Sequence, residues 1–309
     1  MFAFDPDYRP RLTDLRPIVT APARLLAEAA ERLTPADAFQ GRRGYDPAFL
    51  APFDVALPVP GAALAGDILP VTGDPDGQLD YMHFSVVMSR SRRLAVFTAV
   101  NIDGANAVSV PRGGDPWALD ARIPADAQIG DALYSDNDFD RGHLVRREDP
   151  NWGSEAATAN RDTFHFTNCA PQLSAFNQET WLSLEDFILS NTKRWKERAM
   201  VFTGPIFAES DPEYRGVRIP LAYWKVVAFL DDAGKPSASG YTIEQDVDVG
   251  GMSLIFGPFK TYQRSLLSIA QQTGLRFGGI DRYDGFSNEA RATGAEIRRV
   301  IKTSSDLRL

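Results

Sequence analysis

Four long apolar runs constrain this chain more than any other feature. Met82–Met88 and Leu94–Ile102 flank the basic turn Ser89-Arg-Ser-Arg-Arg93, and Ala199–Phe207 and Ala222–Leu230 follow well downstream. The first pair has the pattern of a β-hairpin, two strand-like segments closed by a short polar turn. The second pair reads as two more buried strands, and Gly240–Asp246 is a candidate for another. Helical patterns are fewer. Pro22–Leu33 is rich in helix formers with proline in its first turn, and its apolar residues at 25, 26, 29, 30 and 33 share a face. Asn177–Arg198 and Phe259–Gln272 are the other helical patterns, and a mixed segment around Glu289–Ile301 follows. Strands and helices do not alternate strictly, which favours an α+β sheet layered with helices over a doubly wound one.

The 309 residues are enough for one large domain or two small ones. The Pro- and Arg-punctuated start and its helix suggest an N-terminal arm over 1–44, with a regulatory, wrapping or dimerising role, ahead of a main domain over 45–309. Residues 34–80, rich in Pro, Gly and Asp, read as a long wrapping connection. A formal net charge of −8 argues against a protein coated in positive charge, yet a local basic cleft stays compatible with it, because steering depends on where charges sit. A single cysteine, Cys169, excludes an intramolecular disulfide. The start Met-Phe-Ala-Phe-Asp lacks the basic region and apolar run of a secretory signal, and no apolar stretch is long enough to span a bilayer. The expectation is a cytoplasmic protein with no membrane partner, export by a non-classical route remaining open.

The chemistry is concentrated in two stretches. One ends in Asp140-Arg-Gly-His143; the other, Thr163–Glu185, leads from a polar entry into a helix carrying Asn177, Trp181 and Glu185. Of the three histidines, His83 sits in an alternating strand and His165 in an aromatic run, which suits structural roles. His143 follows a glycine able to present it to a cleft, and imidazole is the natural general base near neutral pH. Its rival reading is a buried histidine held by Asp140. Asn177, Trp181 and Glu185 form one slanting helical stripe. An amide oxygen can ligate a hard divalent cation while a carboxylate behind it holds the cation's water; the plainer reading is a helix cap, a core Trp and a solvated Glu. Arg112 and Arg141 are candidate phosphate contacts, with Arg146 and Arg147 behind them. Asp246, Asp248 and the acidic Asp131–Asp140 region lack a complete calcium loop, and Cys169 suits packing better than nucleophilic attack. Nucleotide-fold, Walker, serine-hydrolase and paired-cysteine motifs are absent.

Taken together, Asp140-Arg-Gly-His143, Thr167-Asn-Cys-Ala-Pro-Gln172, Asn177 followed by Trp181 and Leu184-Glu185, Val201-Phe-Thr-Gly-Pro205 and Ile219-Pro-Leu-Ala-Tyr-Trp-Lys225 resemble the DNA/RNA non-specific endonuclease family, the endonuclease G-like ββα-metal (His-Me finger) nucleases. The resemblance runs from about residue 45 to 300 and implies a ββα-metal fold with a mostly antiparallel central sheet. It makes His143 the general base, Asn177 the direct Mg²⁺ ligand with Mn²⁺ as a substitute, and Glu185 the holder of metal-bound water. Arg141 and Arg112, the latter ahead of Trp117, become phosphate contacts; Asn168 supports the site, and Asp140 belongs to the catalytic word. Leu144-Val-Arg-Arg departs from relatives that often have a small residue and Pro after the histidine, which bears on the shape of that loop. The implied reaction is hydrolysis of phosphodiester bonds in DNA and RNA to 5′-phosphate products with little base reading. Family members are often dimers, and an inhibitor or regulatory partner acting through the arm fits an enzyme that must be restrained. Rival classes are a catalytically silent nucleic-acid-binding protein and a phosphodiesterase acting on small substrates.

Overall fold

In the computed structural model the four apolar runs lie side by side in the middle of one sheet. The structure describes residues 32–72, 74, 76–173, 189, 190, 192, 196–231, 233–244, 260–301 and 306, all within the compact unit Arg32–Leu309. We number the strands of three residues or more: β1 Gln78–Asp80, β2 Phe84–Met88, β3 Ala95–Asp103, β4 Phe139–His143 and β5 Cys169–Leu173. They continue with β6 Arg198–Ile206, β7 Ala222–Leu230, β8 Pro236–Glu244, β9 Lys260–Arg264 and β10 Arg298–Ile301. The longer helices are α1 Ala156–Asp162, α2 Leu266–Thr273 and α3 Gly285–Thr293. Eight strands form the sheet in the order β10-β9-β8-β7-β6-β3-β2-β1, and every neighbouring pair is antiparallel. The fold is therefore α+β with a large antiparallel sheet, the class expected from the sequence.

Both faces of the central strands are covered, which explains why these strands are largely apolar, with Thr98, Asn101 and Asp103 of β3 and Lys225 of β7 among the buried polar exceptions. All nine positions of β3 are buried. Successive side chains point to opposite faces, so each strand feeds two cores. Val86, Val100, Val201, Tyr223 and Tyr241 enter one core together with β4, β5 and Leu189. Val87, Phe97, Phe202, Trp224 and Val226 enter the other with Leu266 and Ile269 of α2 and with Tyr45, Phe53 and Val55. The 34–80 segment thus contributes a core layer, even though its composition reads as a loop.

Two helical expectations are corrected at their ends and a third in its first half, while Leu189, Ser190 and Thr192 of the Asn177–Arg198 pattern are helical and most of that pattern lies outside the described residues. Leu33 opens a two-residue strand, Leu33–Thr34, that pairs in parallel with Leu119–Asp120, and its side chain is exposed; the rest of the Pro22–Leu33 pattern, up to residue 31, lies outside the described residues. Arg198, expected at a helix end, begins β6. The Phe259–Gln272 pattern divides: Thr261 and Tyr262 favour the extended chain of β9, and Ser265 then caps α2 by accepting a hydrogen bond from the Ser268 amide.

A buried polar knot ties the segments that flank the candidate site. The Tyr81 hydroxyl donates to Asp120 Oδ2 at 2.6 Å and lies 2.6 Å from Thr167 Oγ1. Arg122 grips the same carboxylate, 2.7 Å from Nη2, and its guanidinium stacks 3.8 Å from the Phe39 ring centre. Gln128 closes the knot by accepting from the Asp120 amide and donating to its carbonyl, both at 2.8 Å. A buried carboxylate is tolerable only with such partners. Burial, followed by the Asp120 charge, pushes the Tyr81 phenol well above its ordinary pKa, so Tyr81 stays a donor. Arg42 pairs with Asp162 at 2.7 Å, so residues 33–42 are fastened to the body at several points. Tyr81→Phe strips one donor from Asp120 and should lower unfolding stability by about 1–3 kcal/mol; an unchanged urea midpoint would contradict this account of the knot.

Candidate active site

The site is built on the antiparallel pair β4–β5, in which His143 faces Cys169, Gly142 faces Ala170, Arg141 faces Pro171 and Asp140 faces Gln172. The Tyr223 hydroxyl donates to the Pro171 carbonyl at 2.8 Å and so fastens the pair to the central sheet. Strand alternation puts Arg141 and His143 on one face and Asp140 with Gly142 on the other; the reading of His143 as held by Asp140 does not match that arrangement. Gly142 lies inside the strand and has no positive φ. What requires glycine is space, because a Cβ at this position would land on the Gln172 side-chain amide.

Asn168 fixes the chain on the other side of His143. Its Oδ1 accepts from the Val145 amide at 2.9 Å, and its Nδ2 donates to the Val145 and Thr163 carbonyls at 3.0 Å each. Its own carbonyl accepts from the Leu144 amide. The amide is completely buried and satisfied, so Asn168 acts by positioning residues 144 and 145 and, through them, His143.

His143 stands in an aromatic pocket. The Trp117 ring centre is 4.7 Å away, and Phe164 meets the imidazole edge-on at 5.1 Å. Nε2 is buried with no hydrogen-bond partner among the described residues, although the residue as a whole is only half-buried. Burial pushes the imidazole pKa down to about 3; Asp115 opposes the shift, while Arg112 and Arg147 reinforce it. His143 is therefore neutral across the physiological range, the protonation state a proton acceptor needs.

Two arginines flank this pocket. Arg141 donates through Nε to Asp131 Oδ1 at 2.9 Å, and its guanidinium lies 5.3 Å from the Tyr134 ring centre. Arg112 is exposed and pairs with Asp115 at 2.8 Å. Arg147, the weaker sequence candidate, donates to the Val110 carbonyl at 3.1 Å and so tethers the loop that carries Arg112. The approach of Trp117 and Asp115 to His143 has no signal in the sequence, since it depends on how distant loops meet.

Gln172 closes one of the motif words without a role assigned to it there. Its side chain is completely buried, and neither amide atom has a hydrogen-bond partner among the described residues. A lone amide among Cys169, Ala170, Pro171 and Leu173 was the available signal. Cys169 is buried beside the Tyr134 hydroxyl at 3.4 Å. Burial pushes its thiol up to about 12, which suits packing. His165 is bonded to the Asp162 carbonyl and to Thr34 Oγ1 at 2.9 Å each, and His83 stacks on Trp152 at 3.4 Å; both are structural. Asn177, Trp181 and Glu185 lie outside the described residues. Among the described residues no group of three or more His, Cys, Asp or Glu side chains is arranged to hold a metal ion.

Two outcomes follow. Replacing Asn168 by Asp puts carboxylate oxygen against the Val145 and Thr163 carbonyls, so Asn168→Asp should lose stability by about 1–3 kcal/mol and lose activity with it; wild-type values for both would contradict the positioning role. The second concerns pH. A folded pKa below the unfolded one contributes stability that is present above about 6.5 and is lost as pH falls toward about 3. With only three histidines, NMR titration with His143→Gln as the assignment control should find the His143 imidazole still neutral at pH 5. A pKa near 6.5 would contradict the dry pocket.

The family model for DNA/RNA non-specific endonuclease matches residues 66–279. An uncharacterized protein, y4fB, of Sinorhizobium fredii is 43% identical over 92% of this chain and 47% of its own length. Human mitochondrial endonuclease G is 32% identical over 37% of this chain and 41% of its own; the bovine protein is 35% identical over the same shares. The chain thus spans less than half the length of these curated relatives. A solved structure described as the EndoG/EndoGI complex and the mechanism of EndoG inhibition matches the fold with a TM-score of 0.52 at 17% identity, covering 66% of this chain and 86% of that one. No helix among the described residues is long and apolar enough to cross a membrane. The chain belongs to the DNA/RNA non-specific endonuclease family.

Proposed function

We propose that the protein is a metal-dependent, sugar-non-specific endonuclease that hydrolyses phosphodiester bonds in DNA and RNA with His143 as the general base. The observation that carries this reading is the buried Nε2 of a neutral His143, without a partner among the described residues and flanked by Arg112 and Arg141. His143 takes the proton of an attacking water. The arriving phosphodiester is anionic and stabilises the imidazolium so formed, raising the pKa toward the working range. Arg141 and Arg112 share the negative charge that develops on phosphorus-bound oxygen. As the water oxygen bonds to phosphorus the P–O3′ bond breaks, so the 3′ oxygen leaves, to be protonated as a 3′-hydroxyl, and the phosphate stays on the 5′ end of the other product strand. Contacts confined to phosphates read little sequence.

The residues suit a hard, hydrated cation. The neutral His143 imidazole, with an Nε2 that has no partner among the described residues, can accept from a cation's water shell, and Mg²⁺ gives up water reluctantly. Asn177 would hold the ion and Glu185 would order its water. When bound, Mg²⁺, with Mn²⁺ as a substitute, supplies positive charge to the phosphate and the leaving oxygen.

The same reading covers the rest of the chain. Residues 45–309 are the nuclease domain, and the arm 1–44 restrains it, mediates a homodimer or receives an inhibitory partner. A cytoplasmic location without membrane attachment goes with these roles. Deleting residues 1–31 should change activity or mass in solution; no change in either would sink the role of the arm. A silent nucleic-acid binder would need no unpaired proton acceptor, and a phosphodiesterase for small substrates would leave polymers intact.

The test is cleavage of plasmid DNA and single-stranded RNA by the full chain with Mg²⁺, with EDTA and as His143→Ala. Metal-dependent cleavage of both polymers should fall by about a hundredfold or more without the base. Intact polymers with the wild-type protein, or cleavage that survives His143→Ala, would overturn the proposal.

A further inference from the structure

Both arginines proposed to receive phosphate already hold a carboxylate. Arg112 donates through Nε at 3.3 Å and Nη2 at 2.8 Å to the two oxygens of Asp115. Arg141 donates through Nε, at 2.9 Å, and through Nη2 to Asp131 Oδ1. Carboxylate and phosphate present a guanidinium with like pairs of acceptor oxygens, so each aspartate stands where a phosphate would.

These two pairs differ from ion pairs that hold the fold. The carboxylates of Asp211, Asp120 and Asp162, partners of Arg92, Arg122 and Arg42, are 0%, 0% and 5% exposed. Those of Asp115 and Asp131 are 39% and 47% exposed. Ion pairs open to solvent contribute little and exchange readily. The Arg141 guanidinium also keeps a support of its own in the Tyr134 ring. The turn that carries Asp131 is pinned from outside by Arg215, which donates to the Ala132 carbonyl at 2.8 Å and the Ser135 carbonyl at 2.7 Å. The carboxylate can therefore leave Arg141 while both segments stay in place.

We infer that Asp115 and Asp131 are built-in phosphate mimics that occupy Arg112 and Arg141 in the free protein and yield them to the backbone of a nucleic acid. The inference rests on the proposed reading of the two arginines as phosphate contacts. It assigns the aspartates a selective role. A polymer presenting successive phosphates can displace both at once, whereas inorganic phosphate or a mononucleotide displaces one and pays the full competition for it. The pairs thus raise the threshold for binding and favour polymers.

The experiment measures binding of a labelled DNA duplex to the full chain in EDTA, where no cleavage intrudes, at fixed salt. The variants are Asp131→Asn, Arg141→Ala, their double mutant, and Asp136→Asn as a neighbouring exposed carboxylate of equal charge. Asp131→Asn should tighten binding about three- to fivefold, the scale of an exposed ion pair. Asp136→Asn should tighten it less, and in the Arg141→Ala background Asp131→Asn should have no further effect. Equal tightening by both asparagine variants, none by Asp131→Asn, or tightening that persists without Arg141 would overturn the inference alone. Wild-type affinity in Arg141→Ala would overturn the phosphate assignment and the inference with it. Unchanged melting temperatures verify that each variant is folded.

Discussion

The structure depends on a sheet whose central strands have no free face. With every position of β3 buried and Trp224, Val226 and Ala228 of β7 fully enclosed, the chain must supply a cover on each side. One cover is made by α2, the segment around Tyr45–Val55 and Leu275–Ile280. The other is made by β4, β5 and the loops around Leu119–Tyr134. The candidate site belongs to this second cover, and the Tyr223 hydroxyl on the Pro171 carbonyl transmits the rigidity of the sheet to it. Placing reactive groups on short strands pressed against a large sheet holds them more firmly than a free loop would.

Within that cover, two kinds of polar burial sit side by side and do different things. Asn168 and Asp120 are buried and fully partnered, which makes them parts of the scaffold. His143 Nε2 and the Gln172 amide are buried without partners among the described residues. An unsatisfied buried polar group is costly; His143 lies on the Arg141 face of the strand pair, whereas Gln172 lies on the opposite face, packed over Gly142. The low pKa of His143 follows from the same dryness. It keeps the imidazole neutral, and on the proposed reading an anionic substrate would make it a stronger base. Arginines held by exposed aspartates have the complementary character, charged groups ready to change partners.

Much of this was legible in the sequence, for physical reasons that differ by element. The four strands were readable because a doubly covered sheet demands largely apolar runs. Structural roles for His83 and His165 followed from their apolar settings, and packing for Cys169 followed from the chemistry around it. The family was readable because several polar words recur in fixed order. The boundary between β9 and α2 was not, since Lys260–Arg264 and the turn after it can also be written on a helix. Gly142 was credited with backbone freedom when its real constraint is the Gln172 side chain facing it. The pairing of Leu33–Thr34 with Leu119–Asp120, the closure of Trp117 over His143 and the aspartates on Arg112 and Arg141 all join distant segments, and no local pattern encodes them.

The most direct test of His143 as the proton acceptor is chemical rescue. His143→Gly opens a space beside Trp117 and Phe164 in which free imidazole can stand. If the side chain acts as the general base, imidazole should restore Mg²⁺-dependent cleavage of DNA in proportion to its neutral fraction, while leaving DNA affinity unchanged. A variant that binds DNA normally, stays folded and gains nothing from imidazole at any pH would contradict the account.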